Sequence, residues 1–418
     1  SFQTDPSPRG LFRLGLLASL GMLNRLDLAL IFVPTLALHL WHARSLRALA
    51  ACAAGSLPLA VWEVFSLVYY GFLFPNTAYA KLGTGLSTGA LVAQAGNYFL
   101  WICTHDLATL MGIIGGLAVS VTITGPERSR ALAAAAGAVL YVLYVIKIGG
   151  DFMAGRFLTA PLLVSAILVA RNRAPLTVRQ TLAGLAVILV FGFASPRPTL
   201  LAGGENADRL WEGFDGVINE RLYFYSSTGL LYGLQHGGIY PEHHTIRFTR
   251  DLQKEGKRVL STRMQIGVIG WYGGPDLRIV DPVALGDPLL ARLPAAPGRW
   301  RIGHFRRNIP EGYLETIETG HNQIRDPSLA EYYDRLCLVT QGPIWSPDRW
   351  REIWRFHTGA NQHLIDAYLA ANPPTEEQPS SSGRATPSES AEPAEPHSSR
   401  PVQSSPKRSS RQWDEETL

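Results

Sequence analysis

Charged side chains stand beside apolar stretches at three separate places in the first half of the chain. They are Arg25 with Asp27, Lys81 after Asn76 and Tyr79, and Lys147 and Arg156 on either side of Asp151. An ionisable group at a membrane boundary costs free energy, so such a position favours a functional role. The alternative interpretation is that these residues are interfacial anchors and local ion pairs, whose long side chains reach water past apolar surface.

Taken together, these groups have the chemistry of a site for a phosphate-bearing lipid. Converging cations bind a phosphate head group and stabilise the charge that develops when phosphate leaves a sugar. A carboxylate beside them, Asp27 or Asp151, orients a sugar hydroxyl or accepts its proton. Gly149, Gly150 and Gly155 let the backbone approach a ligand closely. The pattern suits an enzyme that takes a sugar from a polyprenyl-phosphate carrier without a metal, and it also suits lipid binding without chemistry.

Residues 1–195 have the composition of a helical membrane region. A helix needs roughly 17–25 apolar residues to cross a bilayer. The predicted spans are Leu11–Leu23, Leu28–Trp41, Leu46–Phe72, Leu107–Ile123, Ala131–Ile148, Phe157–Ala170 and Leu176–Phe193. The segment Ser87–Cys103, which carries Gln94 and Asn97, favours an interfacial or re-entrant helix. The sequence therefore predicts about six to seven membrane helices.

The basic residues predict which side of the membrane each loop occupies. Nine fall in alternate loops, namely Arg9, Arg13, Arg44, Arg47, Arg128, Arg130, Arg171, Arg173 and Arg179. The other loops hold four, namely Arg25, Lys81, Lys147 and Arg156. Because basic loops stay in the cytoplasm, the segment after Phe193 is predicted to lie outside it. We therefore predict a multi-pass protein of the bacterial inner (cytoplasmic) membrane with an extracytoplasmic C-terminal domain.

Beyond residue 195 the chain changes character twice. Residues 196–372 have the composition of a water-soluble domain, with helices predicted at His244–Gly256 and Pro347–Ala370 and strands at Arg258–Ser261, Leu277–Asp281 and Arg301–His304. Residues 373–418 contain too few apolar side chains to offset the entropy of ordering, which predicts a disordered tail. The predicted fold class is mainly α, a polytopic transmembrane helical bundle followed by a small α/β extracytoplasmic domain.

Six segments of the sequence resemble one known family. They are Leu23–Asp27, Gly71–Lys81, Gly149–Arg156, Asp281–Arg292, Arg301–Arg306 and Ile309–Tyr313. These segments are similar to those of a group of GT-C membrane glycosyltransferases. The best-known members are the AftB-type terminal arabinofuranosyltransferases of mycobacteria and corynebacteria, and some relatives carry a flagellar motor control label (ZomB). The resemblance covers roughly Leu11 to Ala370.

The resemblance implies a GT-C-like bundle that moves an arabinofuranosyl or related sugar from a polyprenyl-phosphate donor to a cell-envelope glycan. The implied substrate-binding residues are Arg25, Asn76, Tyr79, Lys81, Lys147 and Arg156. Asp27 and Asp151 are the candidate catalytic residues. GT-C enzymes usually carry their catalytic carboxylate in the first outer loop, and this chain begins at Ser1. We therefore expect an upstream N-terminal part, and with it a catalytic carboxylate, to precede the sequence.

Other functions are less compatible with the sequence. The formal net charge of +4 gives no indication of nucleic-acid binding. Cys52, Cys103 and Cys337 are far apart and predict neither a disulfide framework nor a metal site, and no cofactor is expected. A transporter is disfavoured because the polar residues cluster at one membrane face instead of the midplane. A non-enzymatic envelope or flagellar-motor-associated membrane protein that binds lipid with the same fold remains the alternative.

Overall fold

The structure is a computed structural model of the chain, and it describes residues 7–172, 177–195, 216–236, 243–262, 265–298 and 300–373. Most of these residues are helical, which confirms the predicted mainly α class. The predicted tail after Pro373 lies outside the described residues, as do Arg173 and Leu176.

Ten α-helices form the N-terminal part of the described chain. They are α1 (Pro8–Asn24), α2 (Ala29–Ala43), α3 (Leu46–Gly55), α4 (Leu57–Tyr70), α5 (Asn76–Leu82), α6 (Thr88–His105), α7 (Leu107–Thr122), α8 (Arg128–Lys147), α9 (Thr159–Arg171) and α10 (Val178–Phe193). The predicted span Leu46–Phe72 is two helices, bent by 56°. Pro58 lies at the start of the second, where it lacks the N–H that a continuous helix would use. Helices α6 and α7 meet at 102°, where Asp106 caps α7.

Among the described residues, two helical segments are long and apolar enough to cross a membrane by themselves. They are Leu26–Ala43 and Gly125–Lys147, and the number rises to four if each bent pair is one span. Among the other described helices, α9 has 13 residues and α10 has 16. Length and composition thus support a membrane protein with two to four spans, whereas six to seven were predicted. The difference arises because three predicted spans are short helices: α1, α9 and α10 have 17, 13 and 16 residues, at or below the roughly 17 residues that a membrane-crossing helix needs.

Small residues bring the N-terminal helices into close contact. A Cβ atom on Gly15 of α1 would lie 2.5 Å from the carbonyl oxygen of Cys52 in α3. On Gly137 of α8 it would lie 2.3 Å from the carbonyl oxygen of Ile31 in α2. Helices in a membrane gain little from the hydrophobic effect and associate through such close backbone packing. The contacts fix α1 against α3 and α2 against α8, and thereby the positions of the loops at their ends.

The C-terminal part contains eight further α-helices and two short strands among its described residues. They are α11 (Glu220–Thr228), α12 (Leu230–Gln235), α13 (His244–Lys254), β1 (Val259–Ser261), α14 (Ile266–Gly273), β2 (Arg278–Val280), α15 (Tyr313–Thr319), α16 (Pro327–Gln341), α17 (Pro347–His357) and α18 (Gln362–Ala371). Strands β1 and β2 pair in parallel, with Leu260 opposite Ile279. The predicted α/β layer is supported only by this pair, because Arg301 and His304 form an isolated antiparallel bridge.

The chain between α4 and α5 packs into the core of the C-terminal part. Phe72 and Ala80 are buried in one cluster with Leu289, Leu329 and Val339. The predicted domain boundary at residue 195 remains a prediction, but the loop before α5 and the C-terminal helices share a hydrophobic core. This shared core determines where α5 lies.

Candidate functional site

Four distant segments of the chain surround one cavity of about 1010 Å³. They are the turn after α1, the chain from Phe72 through α5, the turn after α8, and part of the C-terminal region between Pro288 and Phe305. The predicted site residues in its lining are Arg25, Asp27, Asn76, Tyr79, Lys81, Asp151 and Arg156. The ends of α1, α4 and α8 therefore meet at one place. This is the arrangement that a shared ligand site requires.

The turn after α1 presents a paired arginine to the cavity. Helix α1 ends at Asn24, and both Asp27 carboxylate oxygens accept hydrogen bonds from Arg25, at 3.1 Å from Nε and 2.5 Å from Nη2. The Tyr141 hydroxyl of α8 donates to the same carboxylate at 3.3 Å. The Arg25 guanidinium also lies 4.3 Å from the centre of the Phe157 ring. A bidentate pair of this kind fixes the plane of the guanidinium.

The turn after α8 builds a second arginine–carboxylate pair. Its glycines adopt left-handed backbone conformations, with φ of 89° at Gly149 and 76° at Gly150, which side-chain-bearing residues rarely adopt. A Cβ atom on Gly150 would also lie 2.6 Å from the side chain of Tyr98. The turn brings Asp151 back to Arg156, whose Nε and Nη2 each donate to it at 2.8 Å. The closely spaced glycines thus allow the tight turn that pairs Asp151 with Arg156.

In both pairs the arginine is more accessible than its carboxylate. The exposed fraction of the side chain is 30% for Arg25 and 12% for Asp27, and 34% for Arg156 and 4% for Asp151. Burial raises the pKa of the Asp151 carboxyl, and the charges of Arg156 and Lys81 act against that rise. The guanidinium groups therefore face the cavity, and the carboxylates behind them hold those groups in place.

Lys81 differs from the two arginines because it has no ion-pair partner among the residues that the structure describes. Within the described ranges its ammonium forms no hydrogen bond and no ion pair, although it lines the cavity. Burial lowers the pKa of Lys81, and the positive charges of Arg156 and Arg25 lower it further, while Asp151 opposes them. An anion bound beside Lys81 would stabilise the ammonium form. Lys81 is therefore the cation most available to an anionic ligand.

Lys147 is the predicted site residue that the structure does not bring into the cavity. It is the last residue of α8 and is exposed. Its neighbours Tyr144 and Ile148 do line the cavity, because residues four apart share one face of a helix. Lys147 projects beside that face. The spacing of Lys147 and Arg156 around Asp151 did not reveal this difference.

Arg292 is a cavity residue that the chemical reading of the sequence missed. Its guanidinium lies 4.1 Å from the centre of the Phe72 ring and 4.6 Å from that of Tyr79. It donates to the Asn76 side-chain oxygen at 3.3 Å and to the Pro288 carbonyl at 2.7 Å. Burial lowers the pKa of Arg292. The only signal in the sequence was its position in a segment of the family resemblance, since Asn76 lies 216 residues away.

The charges of the described lining favour an anion. Four cations, Arg25, Lys81, Arg156 and Arg292, face two carboxylates, Asp27 and Asp151. Within the part of the chain that the structure describes, no group of three or more His, Cys, Asp or Glu side chains is arranged to hold a metal ion. Guanidinium and ammonium groups are donors that suit a phosphate anion.

Comparisons with known proteins agree with the resemblance noted in the sequence. The chain is 33% identical over 363 residues to the terminal beta-(1->2)-arabinofuranosyltransferase of Corynebacterium glutamicum, covering 70% of this chain and 50% of the relative. It is 27% identical over 375 residues to the Mycobacterium tuberculosis protein of the same name, covering 71% and 58%. The chain resembles the terminal arabinofuranosyltransferases.

This similarity has clear bounds. The chain spans between half and three fifths of the length of the two terminal arabinofuranosyltransferases it matches. No family model matches the sequence, and no solved structure matches it. The expected resemblance to AftB-type proteins is confirmed.

Proposed function

We propose that this chain forms part of a membrane glycosyltransferase of GT-C architecture that uses a polyprenyl-phosphate sugar as donor. The sugar would be arabinofuranosyl and the acceptor a cell-envelope glycan, as the names of the two relatives suggest. The observation that carries the proposal is the meeting of Arg25, Lys81 and Arg156 at one cavity, with Lys81 available to an anion. A lipid phosphate head group has the charge and the size for such a set of donors.

The charges at the two ends of α8 support a location at a bilayer surface. At its start Glu127 pairs with Arg130 and Arg171, each at 3.0 Å, so two basic loops meet there. At its other end lies the cavity. Twenty residues of helix span about 30 Å, which is close to the thickness of a bilayer core. The proposal therefore places the basic end in the cytoplasm of a bacterial cell and the cavity at the outer leaflet of the inner membrane.

The reaction would break the bond between the anomeric carbon of the sugar and the donor phosphate oxygen. A hydroxyl oxygen of the acceptor would form the new bond to that carbon, and its proton would pass to a base. The electron pair of the broken bond stays on the phosphate, where Lys81, Arg25 and Arg156 would stabilise the added charge. Because these donors are held before the ligand arrives, little reorganisation is needed during the reaction.

The two carboxylates of the cavity would serve mainly to orient the arginines. Both oxygens of Asp27 and of Asp151 accept hydrogen bonds from an arginine, and Asp151 is almost wholly buried. A base for the acceptor must reach the hydroxyl proton directly. Asp27 is the more accessible of the two, so Asp27→Asn tests a role as base. Loss of turnover with unchanged donor affinity would assign that role to it.

A transfer assay with a matched lysine control tests the proposal. Purified protein in proteoliposomes would receive a radiolabelled polyprenyl-phosphate arabinofuranose and an arabinan oligosaccharide. Lys81→Met should lower the transfer rate by about 100-fold or more, since it removes a preorganised donor at the leaving group. Lys254→Met removes an exposed lysine of α13 and should leave the rate unchanged. Equal rates in wild type and Lys81→Met would refute the proposed site.

A further inference from the structure

A wholly buried arginine connects the C-terminal region to the end of α5. Arg307 is 1% exposed, and its guanidinium donates to three backbone carbonyl oxygens. These belong to Leu293 at 3.2 Å, to Phe305, and to Ala80 at 2.6 Å. Ala80 precedes Lys81 in the last turn of α5, and it lies 227 residues from Arg307 in sequence. A long-range contact therefore ends one residue before the available cation of the cavity.

The other end of α5 is also held by the C-terminal region. The Asn76 side-chain amide donates to the carbonyl oxygens of Ala284, Leu285 and Asp287 at 3.1 to 3.2 Å. Helix α5 has only seven residues, and isolated helices of that length are unstable in water. Its position therefore depends on these two attachments and on the burial of Ala80 in the C-terminal core.

We infer that Arg307 is a positioning residue, which sets the place of the Lys81 ammonium in the cavity by holding the Ala80 carbonyl. The inference rests on the proposed function only for the nature of the ligand. Arg307 is not part of the cavity lining, and its side chain donates hydrogen bonds to the backbone of Ala80 in α5 and of Leu293 and Phe305. It acts on the ligand through Lys81 and is not itself a catalytic residue.

An arginine suits this position better than a lysine. Its planar guanidinium donates in several fixed directions and can bind carbonyl groups of three separate residues, whereas an ammonium on a flexible stem lacks that geometry. Burial lowers the pKa of Arg307 to about 10, so it stays charged at neutral pH. A positive charge near the last carbonyl groups of a helix also interacts favourably with the helix dipole.

The chain offers a matched control in Arg349, which is also 1% exposed. Its guanidinium donates to the carbonyl oxygens of Val339, Val68, Ile344 and Tyr69, at 2.8 to 3.2 Å. It thus ties the C-terminal region to the last turn of α4 and not to α5. Arg307→Lys and Arg349→Lys make the same chemical change at equal burial. Only Arg307→Lys should displace the Lys81 side chain.

The experiment measures two quantities in the full chain, reconstituted in nanodiscs. The first is the affinity for a polyprenyl monophosphate. The second is the pH dependence of reductive methylation at Lys81, read by peptide mass spectrometry. Arg307→Lys should weaken binding by about tenfold, because small displacements of a binding group have effects of this size or more. It should also move the half-maximal pH for methylation of Lys81 upward, toward an ordinary lysine, as the ammonium leaves its buried cationic surroundings. Arg349→Lys should change neither quantity.

The outcomes separate the inference from the proposed function. If both arginine variants weaken binding equally, or if Arg307→Lys leaves binding and methylation unchanged, Arg307 does not position Lys81. If Lys81→Met binds the phosphate as well as wild type, the proposed function fails instead. The methylation profile still reports on positioning in that case, since it needs no ligand. An upward shift in Arg307→Lys alone would then support the positioning role without a phosphate site.

Discussion

Arg156 and Lys81 face the same cavity but are held in place in opposite ways. Arg156 is held by Asp151, five residues earlier, within a single glycine-containing turn. Lys81 has no ion-pair partner among the described residues, and its helix is held by contacts from more than 200 residues away. One cation is thus fixed by the local sequence, and the other by the packing of the C-terminal region.

This difference suggests a division of labour within the proposed site. An arginine paired with a buried carboxylate keeps its orientation whether or not a ligand is present. An unpaired lysine in a buried cationic setting gains most when an anion arrives, because the anion relieves the cost of its charge. The locally held arginines would define the shape of the site, and Lys81 would supply most of the gain on binding phosphate.

Among substitutions that disturb the locally held arginines, Asp151→Asn should cause the largest loss of transfer rate. The change removes the charge that holds both donor nitrogens of Arg156 and leaves a buried amide against a guanidinium. We expect donor transfer to fall by about 100-fold, as for the loss of an orienting group in a preorganised site. Steady-state transfer rates in proteoliposomes would measure this. Asp27→Asn should weaken donor affinity less than Asp151→Asn does, since Arg25 is also held over Phe157, and a larger loss of donor affinity in Asp27→Asn would contradict this order.

Gly150→Ala tests the turn itself. Its φ of 76° is unfavourable for alanine, and the added Cβ would lie 2.6 Å from the side chain of Tyr98. The free energy of unfolding should fall by about 2 kcal/mol, which is typical of strain at such a position. Chemical denaturation in detergent would measure the loss. Gly89→Ala in α6, whose Cβ would meet no atom within 4 Å, serves as the control and should not destabilise the protein.

Asn76→Ala tests whether the position of Lys81 depends on the attachment of α5 to the C-terminal region. The substitution removes three hydrogen bonds to Ala284, Leu285 and Asp287 and frees the first turn of α5. Phosphate affinity should fall by about tenfold, the size expected when a binding group is displaced slightly. Isothermal titration with a polyprenyl monophosphate would show it. Unchanged affinity would mean that α5 keeps its place without this attachment.

The smallest expected effect is the pH dependence of stability that arises from Asp287, whose backbone carbonyl accepts a hydrogen bond from Asn76 of α5. Burial raises the pKa of Asp287 to about 6, although Leu290 and Tyr313 donate hydrogen bonds to its carboxylate. The folded state therefore holds the proton more tightly than the unfolded state, so stability falls as the pH rises through about 6. The melting temperature should drop by a few degrees between pH 4 and pH 6 on this account. Asp287→Asn should flatten that dependence, and an equal slope in both proteins would exclude Asp287 as its source.

The sequence predicted the parts of the site that are local and missed those that are not. Arg25 with Asp27 and Asp151 with Arg156 are neighbours in sequence, so their pairing and the glycine turn could be inferred from spacing alone. Lys147 has the same local appearance, yet helical geometry leaves it outside the cavity. No spacing rule links Asn76, Arg292 and Arg307, whose contacts form only when the C-terminal core packs around α5.

The fold shows the same limit. Apolar composition predicted the long helical segments of the N-terminal part but not the short helix α5, and it did not reveal that Pro58 would divide the predicted span Leu46–Phe72 into a bent pair. Alternating patterns predicted an α/β layer, whereas β1 and β2 are three residues each in the described C-terminal part. Both strands lie where the sequence predicted them, at Arg258–Ser261 and Leu277–Asp281, whereas the predicted strand Arg301–His304 is only an isolated bridge.

A structure of the protein bound to a polyprenyl monophosphate in a nanodisc would show directly whether Lys81, Arg25 and Arg156 form one phosphate site. We expect the phosphate to lie within about 2.7–3.2 Å of Lys81 Nζ, and the guanidinium groups of Arg25 and Arg156 to contact it from the other side. A phosphate bound at the opposite end of α8, near Glu127 and Arg130, or one that leaves Lys81 without contact, would contradict it.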